Sequence, residues 1–313
     1  MRKSLLLCLS VATLWAQDYP ATAISNGVIN AKIMLPDADK GSYQGTRFDW
    51  SGIISSLEYK DHQYFGRWYE KHDPKIHDAI TGPVEEFLTS LGYDEAKPGG
   101  TFIRISVGVV RKPEEKAYRR FGTYDIVDGG KRTVRQGKDW IEFTQVLSPT
   151  YVYKKTLRLT KGKPQLVIEH SLKNTGEKVI DAEQYNHNFF VIDNEVVGPD
   201  VAVKFPFDPK PEAELKNGGE VRAQEIVYKR ELEKGESVFS ELKGFGETAK
   251  DYDFKIENRK SGAGVHITGD QPLEKMVFWS IRTVACPEPY VKIHVPPGAE
   301  QKWKITYDFY TLK

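Results

Sequence analysis

Cysteine is almost absent from this 313-residue sequence, which contains only Cys8 and Cys286. Cys8 lies in an N-terminal apolar segment that we interpret below as a cleaved leader, so Cys286 would remain alone without a disulfide partner. The chain must then be stabilised by its core, and a chain of this length buries about three quarters of its unfolded surface. We predict that Cys286 is a buried small apolar residue, because no signature of a cysteine enzyme surrounds it.

An excess of charge of either sign is also missing, since 45 lysines and arginines face 44 aspartates and glutamates. Without a basic tract the sequence gives no electrostatic reason to bind a polyphosphate, and we expect no nucleic-acid partner. Six Trp, sixteen Tyr and fifteen Phe argue against disorder. The composition therefore predicts a globular protein.

Long apolar runs are missing except near the N-terminus, where Ser4 to Leu14 follows a basic start and precedes Ala16. This run is too short to span a membrane, which takes about 20 apolar residues. A basic start, a short apolar stretch and a small residue before polar ones are typical of a signal peptide. We predict that residues 1–16 are a signal peptide, that residues 17–313 are a single domain, and that the protein is periplasmic or secreted, without a membrane contact after cleavage.

Several catalytic signatures do not occur: a GxSxG elbow, a phosphate-binding GxxxxGK[ST] loop, an HExxH helix and a dinucleotide GxGxxG turn. These absences remove the usual sequence support for a serine hydrolase, a P-loop enzyme, a zinc protease and a dinucleotide-dependent oxidoreductase.

Alternating apolar and polar residues recur along the chain, the pattern of half-buried strands. The segments are Ala23–Ile29, Phe102–Val110, Asp139–Leu147, Lys155–Thr160, Gln165–Leu172 and Gln301–Tyr310. Turn-forming groups rich in Gly, Asn and Pro separate the strands. The best helix candidate is the short Pro83–Leu91, with Pro83 in its first turn and Glu85 and Glu86 favourably placed at its start. Strands joined by turns build antiparallel sheets, so we predict an all-β fold, a large antiparallel β-sandwich.

His187 is the most distinctive histidine, because Asn186 and Asn188 flank it and Phe189 and Phe190 follow. This setting predicts an imidazole held on a strand by amide neighbours and directed into an aromatic cleft, where it can transfer a proton. The other reading is a buried, hydrogen-bonded core histidine, and the local pattern does not decide between them. Five histidines have no comparable surroundings: His62, His72, His170, His266 and His294.

Glu288 is the candidate carboxylate, because it lies between Pro287 and Pro289. Proline removes a backbone donor and restricts its neighbour, so we expect Glu288 at a rigid strand end and not inside a central strand. A rigid mount favours a functional carboxylate. The competing reading is a solvated glutamate in a turn.

These motifs resemble those of galactose mutarotases (aldose 1-epimerases). The segment 186–190 is similar to the family's Asn-His-(Thr/Ser)-(Tyr/Phe)-Phe motif, and 285–289 to its Cys-x-Glu motif. The Pro-Gly turn at 295–300, the aromatic strand at 303–310 and the early hairpin at 48–57 extend the resemblance over most of the mature chain.

The resemblance implies a β-supersandwich that binds a pyranose in a concave sheet cleft, and it implies that the reaction needs neither a metal ion nor an organic cofactor. It implies that His187 is the general acid on the ring oxygen and that Glu288 is the general base on the anomeric hydroxyl. The two groups should face each other across one cleft, with room between them for the sugar.

The resemblance also extends to candidate substrate-binding residues. Galactose mutarotases carry a second histidine in a His-Gly-Gly segment, which is absent here, and His77 is the histidine in that region. Arginines can grip sugar hydroxyls or an acidic group, and aromatic rings can stack on a pyranose. Besides His77, the candidates are Arg47, Arg67, Asn186, Trp50, Trp68, Trp279 and Tyr290.

Three functions are compatible with these observations. The first is an exported mutarotase-like enzyme acting on a monosaccharide or oligosaccharide. The second is a non-catalytic carbohydrate-binding protein, favoured by the missing His-Gly-Gly segment, and the third is a domain associated with a glycan lyase or hydrolase. Retention of both a histidine and a glutamate at the matching positions favours the enzyme.

Overall fold

The structure, a computed structural model, describes residues 19–114 and 117–312. The predicted signal peptide and Cys8 lie outside these residues. No helix in the described ranges is both long and apolar enough to cross a membrane.

One 3-10 turn, Ala249–Asp251, accompanies strands that we number along the chain. They are β1 (Ala21–Ser25), β2 (Ile29–Met34), β3 (Ile53–Tyr59), β4 (His62–Gln63), β5 (Gly82–Phe87), β6 (Ser90–Leu91), β7 (Thr101–Arg104), β8 (Gly108–Arg111), β9 (Ile126–Asp128), β10 (Lys131–Gln136), β11 (Trp140–Leu147), β12 (Tyr151–Leu159), β13 (Gln165–Asn174), β14 (Ile180–Phe189), β15 (Val201–Lys204), β16 (Lys210–Pro211), β17 (Gly219–Arg222), β18 (Glu225–Tyr228), β19 (Ser237–Lys243), β20 (Asp253–Asn258), β21 (Ala263–Gly269), β22 (Lys275–Ile281), β23 (Val284–Val295) and β24 (Glu300–Thr311).

Two large sheets dominate the described chain. One has the strand order β10-β11-β12-β13-β24-β21-β20-β15-β18-β17, and the other has the order β16-β19-β22-β23-β14-β5. Two four-stranded sheets, β1-β2-β3-β4 and β6-β7-β8-β9, add to them. Neighbouring strands within both large sheets run antiparallel, which confirms the predicted all-β antiparallel sandwich.

The main core lies between the two large sheets. The ten-stranded sheet contributes residues such as Ile168 and Ile305, and the six-stranded sheet contributes Met276, Phe278 and Ile293; each is at most 2% exposed. On β22 these inward residues alternate with Val277 and Trp279, which therefore face away from the core. The outer face of the six-stranded sheet is thus free to carry a second set of side chains.

Two crossovers bring β14 and β23 side by side in the six-stranded sheet. The chain leaves the ten-stranded sheet after β13 at Asn174, and it returns to that sheet between β23 and β24 through Gly298. Asn174 links the two crossovers, because its Nδ2 donates to the Val295 carbonyl at 2.8 Å and its own carbonyl accepts from the Gly298 N–H at 3.0 Å. This arrangement makes the strands of His187 and Glu288 neighbours.

Two segments that we predicted as single strands each form a hairpin. The turn lies inside the segment of alternating apolar and polar residues. Residues 23–29 are divided between β1 and β2, where Oδ1 of Asn26 accepts from the N–H groups of Val28 and Ile29 at 2.9 Å. Residues 102–110 are divided between β7 and β8, with Ser106 at φ 69°. Short polar residues that hydrogen-bond locally or adopt positive φ make tight turns, and the period-two pattern alone did not reveal them.

The prediction of a helix over Pro83–Leu91 is wrong, because this region contains the buried strand β5 and the two-residue strand β6. β5 is the last strand of its sheet, where a proline such as Pro83 is tolerated. Glu85 and Glu86 are fully buried on opposite faces, each beside cations, whereas the pattern suggested acidic residues at a helix start.

Candidate functional site

Strand register places the candidate acid and base on the outer face of the six-stranded sheet. Glu288 on β23 pairs with Val277 on β22, and His187 on β14 pairs with Val84 on β5. The two polar side chains meet across the β14–β23 seam, where His187 Nε2 lies 3.3 Å from Glu288 Oε1. Each residue is only 5% exposed. The structure therefore brings the two residues into direct contact.

The prolines lie inside β23, so the expectation that Glu288 marks a strand end is wrong. β23 pairs with β14 from Tyr290 onward and meets it again at Ala285, which donates its N–H to Phe190 at 3.3 Å. Pro287 and Pro289 lie two and four residues after Ala285, so their nitrogens point to the same side of β23 as the Ala285 N–H. Both prolines therefore face the interval in which β14 forms no backbone ladder with β23. Asn188 contributes there, donating from Nδ2 to the Pro287 carbonyl at 2.9 Å. Both prolines therefore fit within β23 without removing a ladder hydrogen bond to β14.

Burial sets the protonation state of the pair. It lowers the pKa of His187 well below 6.5, and the positive charges of Arg47 and Arg120 lower that pKa further. Burial also raises the pKa of Glu288 to about 8, while the same two arginines oppose the rise. At neutral pH the imidazole is therefore neutral and the carboxyl group carries the proton. Nε2 is the His187 nitrogen that contacts Glu288. The other ring nitrogen, Nδ1, is buried and has no hydrogen-bond partner in the described part of the chain.

Aromatic rings hold the imidazole in place. The His187 ring stacks on Phe189 with centroids 3.8 Å apart, and Phe189 stacks on Trp68 at 5.0 Å. Trp279 approaches the imidazole edge-on at 5.5 Å. Trp68 is fixed in turn, because its indole N–H donates to the Ile80 carbonyl at 2.8 Å. These contacts restrict the imidazole to one orientation and surround it with apolar surface.

A cluster of three arginines around Glu86 borders the pair. Glu86 is fully buried, and its carboxylate accepts from Arg47 Nε at 2.8 Å, from Arg104 at 3.4 Å and from Arg120 at 2.9 Å. Tyr185 donates its hydroxyl to the same carboxylate at 2.6 Å. Despite burial, the arginines hold the pKa of Glu86 down at about 2. The cluster fixes two guanidinium groups, those of Arg47 and Arg120, at the wall of the cavity.

The pair lies in a cavity of about 320 Å³. Charged, aromatic and apolar side chains all contribute to its walls, the mixture found in ligand sites that orient a small polar molecule. The lining residues are Arg47, Trp68, Asp78, Arg120, Phe121, His187, Phe189, Phe239, Glu241, Lys275, Val277, Trp279, Glu288 and Tyr290.

Six of the residues singled out from the sequence line this cavity: Arg47, Trp68, His187, Trp279, Glu288 and Tyr290. His77 lies next to it, with Nδ1 3.5 Å from Arg47 and its ring 5.0 Å from that of Phe121. His77 is thus placed to hold the wall of the cavity.

Three other predicted residues lie away from the cavity. Arg67 donates to the backbone carbonyls of Tyr69 and Glu70. Trp50 lines a separate cavity of about 610 Å³. Asn186 faces the opposite side of β14 from His187, because neighbouring strand residues alternate. It donates there to Glu85 at 3.0 Å, so Asn186 acts in a buried network between the sheets.

The sequence did not identify several cavity residues. Arg120, Phe121 and Lys275 line the cavity, and Glu86 binds the arginines of its wall. None of the four carries a motif of its own, and strand pairing or loop packing alone brings them together. The strand register is the one signal that connects some of them. Once the order β22-β23-β14-β5 is known, the register aligns a row of neighbouring residues across the four strands: Lys275, Tyr290, Tyr185 and Glu86. Cys286 is fully buried, as predicted, and burial raises the pKa of its thiol well above 9.

The pair can act on two atoms that are close together. With Nε2 and Oε1 3.3 Å apart, no sugar ring fits between them, contrary to the expectation of a pyranose placed between acid and base. A ligand must approach from one side and present two neighbouring polar atoms. One proton shared by two groups of this kind suits simultaneous donation and removal of protons.

Solved structures with the same architecture have low sequence identity to this chain. A galactose mutarotase-like protein from Clostridium acetobutylicum is 14% identical, with a TM-score of 0.56 over 93% of this chain and 95% of that one. An aldose epimerase homologue from C. elegans is 12% identical, with a TM-score of 0.55 over 95% and 100% of the two chains. A galactose mutarotase-like protein from Lactobacillus casei is 13% identical, with a TM-score of 0.52 over 93% and 100%. No protein-family model and no curated protein matches the sequence. The chain has the galactose mutarotase-like fold, as the resemblance implied.

Proposed function

We propose that this protein is an aldose 1-epimerase (mutarotase)-like enzyme that interconverts the anomers of a pyranose, with His187 and Glu288 as its acid–base pair. The observation that carries the proposal is the direct 3.3 Å contact of the pair inside the cavity. The ring oxygen O5 and the hydroxyl oxygen O1 of a pyranose are bonded to the same carbon. Two adjacent groups can therefore reach both oxygens from one side. The fold supports this proposal, although a fold alone does not define an activity.

The reaction needs one proton on the pair. Glu288 gives its proton to O5 while His187 takes the proton of the O1 hydroxyl; the C1–O5 bond breaks, its electron pair stays on O5, and O1 becomes the aldehyde oxygen. Rotation about C1–C2 exposes the other face of the aldehyde, and O5 attacks C1 as both proton transfers reverse. The sequence resemblance implied the opposite roles, with His187 as the acid and Glu288 as the base. The same pair would have those roles if the proton were on His187. Reversibility requires each residue to serve in both capacities.

Anomer interconversion tests the proposal directly. Polarimetry or NMR saturation transfer on freshly dissolved D-glucose and D-galactose should detect catalysis by the wild type. Glu288→Gln and His187→Gln should each reduce the rate by about 10²- to 10⁴-fold, the range expected for general acid–base groups. Glu169→Gln and His294→Gln, at exposed side chains of strands, are the matched controls and should retain the wild-type rate.

Two results would contradict the enzyme. Unchanged rates in both cavity variants would remove the assigned roles. Sugar binding by calorimetry without interconversion would instead identify the non-catalytic carbohydrate-binding protein.

We also propose that the protein is exported to the periplasm or secreted, on the basis of residues 1–16. The mass of the protein recovered from its producing cell should correspond to a chain that begins at Gln17. Recovery of the uncleaved chain from the cytoplasm would contradict export.

A further inference from the structure

Phe239 occupies an unusual place at the edge of the cavity. It is 57% exposed and belongs to the cavity lining. A single exposed apolar residue carries no argument by itself, but this one lies on β19 directly opposite Trp279 in the strand register. The aromatic surface of the cavity therefore continues outward from Trp279 onto the next strand.

The other exposed aromatic residue of the lining, Phe121, is already engaged. Its ring stacks on His77 at 5.0 Å, and the guanidinium groups of Arg47 and Arg120 lie 4.6 and 5.2 Å from its centroid. Phe239 has no aromatic or cation–π partner within residues 19–114 and 117–312. Its ring is thus available to an external ligand.

Polar groups flank the Phe239 ring. Glu241 follows two residues later on the same face of β19, and Lys275 lies on β22; both line the cavity. The Lys275 ammonium lies 4.3 Å from the Tyr290 ring centroid, and Glu241 pairs with Lys243 at the outer edge. An aromatic face with hydrogen-bonding groups beside it is the arrangement that orients a sugar ring.

The spacing of the strands separates this group from the acid–base pair. Glu288 lies on β23, and β19 is two strands away in the same sheet, which corresponds to about 10 Å. A pyranose with its anomeric carbon at Glu288 and its ring directed towards β19 would cover Val277 and Trp279 on the intervening strand. Phe239 then lies beneath the next ring of a longer ligand.

We propose that Phe239, Glu241 and Lys275 form an outer sugar subsite, and that the ligand is an oligosaccharide of two or more rings. Its reducing-end ring occupies the His187–Glu288 pair, a placement that rests on the proposed function, and its second ring stacks on Phe239. A free reducing end is required because a glycosidic C1 has no hydroxyl proton to remove.

Calorimetry compares Phe239→Ala with the wild type on D-glucose, D-galactose, maltose, cellobiose, laminaribiose and lactose. At least one disaccharide should bind the wild type more tightly than its reducing-end monosaccharide. The variant should weaken binding of that disaccharide about 3- to 10-fold more than binding of the monosaccharide, the loss expected for one aromatic stacking contact. Val134→Ala, at an exposed position on β10, is the control and should leave both affinities unchanged.

The outcomes distinguish this proposal from the proposed enzyme activity. If monosaccharides interconvert but no disaccharide of the panel binds more tightly, or if Phe239→Ala weakens both classes equally, only the outer subsite is overturned. If a disaccharide responds to Phe239→Ala while no sugar interconverts, the subsite stands and the catalytic proposal fails. Light scattering tests a self-interface: conversion of a dimer to a monomer by Phe239→Ala, without a change in the affinity ratio, also overturns the subsite.

Discussion

The pKa values of His187 and Glu288 are shifted in opposite directions from the values of the same groups in water. Burial lowers the pKa of the imidazole well below 6.5 and raises that of the carboxyl group to about 8. Removal of water disfavours the charged form of both an acid and a base, so each group is held in its neutral form. A neutral acid in contact with a neutral base is ready for proton transfer at neutral pH.

The pH dependence of catalysis should follow the number of protons on the pair. Glu288 loses the shared proton as the pH rises through about 8, so kcat/KM should fall above that pH. On the acid side the pair takes up a second proton, which binds to His187. Because burial lowers the pKa of His187, this fall in kcat/KM should begin only below pH 6.5. Saturation-transfer NMR from pH 4 to 10 should give a bell-shaped profile with a broad plateau. A rate that rises continuously through pH 8 would exclude the one-proton pair as the active form.

Strand β5 joins the site to the interior of the sandwich. Glu86 lies on the outer face of the sheet and binds three arginines, while Glu85 faces the core, where Lys155 and His170 contact it. The two carboxylates are neighbours in sequence but belong to different networks, because alternate residues of a strand point to opposite faces. One short edge strand thus anchors the arginine wall to a buried charged network.

Removing the carboxylate of Glu86 should destabilise the protein strongly. Glu86→Ala leaves the guanidinium groups of Arg47 and Arg104 buried without their anionic partner. Loss of one partner from a buried ion pair costs about 3–5 kcal/mol in the free energy of unfolding. Urea denaturation measures this loss, and Glu169→Ala on the exposed side of β13 should change stability by less than about 0.5 kcal/mol. Equal effects of the two substitutions would mean that the arginine cluster contributes nothing specific.

The contrast between β5 and β14 explains how much of the site could be predicted. His187 was recognisable because its flanking amides and phenylalanines form one local motif, and Glu288 because two prolines flank it. Glu86 was assigned to a helix start. Its partners Arg47 and Arg120 lie 39 and 34 residues away in the sequence, so no local pattern connects them with it. Alternation predicts strands, but it does not predict which strands pair; that order decides what meets at the cavity.

At the scale of the whole molecule, the near-neutral net charge hides a strongly charged site. The sequence has 45 basic and 44 acidic residues, yet three arginines and a lysine are concentrated near one buried pair. A core of two apposed sheets, with Cys286 as the free cysteine of the described residues, must stabilise these buried charges without a disulfide there. Burial that prepares the pair for proton transfer therefore acts against stability, the usual trade-off at functional sites.

This trade-off predicts the sign of the stability change at alkaline pH. Glu288 has a pKa of about 8 in the folded protein and 4.5 as the reference value for the unfolded chain, so between these values the folded state binds the extra proton and stability falls as the pH rises. His187 has the opposite effect on stability, but only below pH 6.5. There the imidazole binds a proton in the unfolded chain and not in the folded protein, where burial lowers its pKa. Between pH 6.5 and 8 the Glu288 contribution acts without this compensation.

Glu288→Gln should remove the alkaline loss while keeping the size and neutrality of the protonated carboxyl group. The wild type should lose about 2 kcal/mol in the free energy of unfolding relative to this variant between pH 6.5 and 8, since one unit of pKa corresponds to about 1.4 kcal/mol. Urea denaturation of both proteins at several pH values measures the difference, and the shared titration of surface groups cancels in it. A difference that is constant across this range would mean that Glu288 is already ionised in the folded protein, and the neutral-acid mechanism would fail with it.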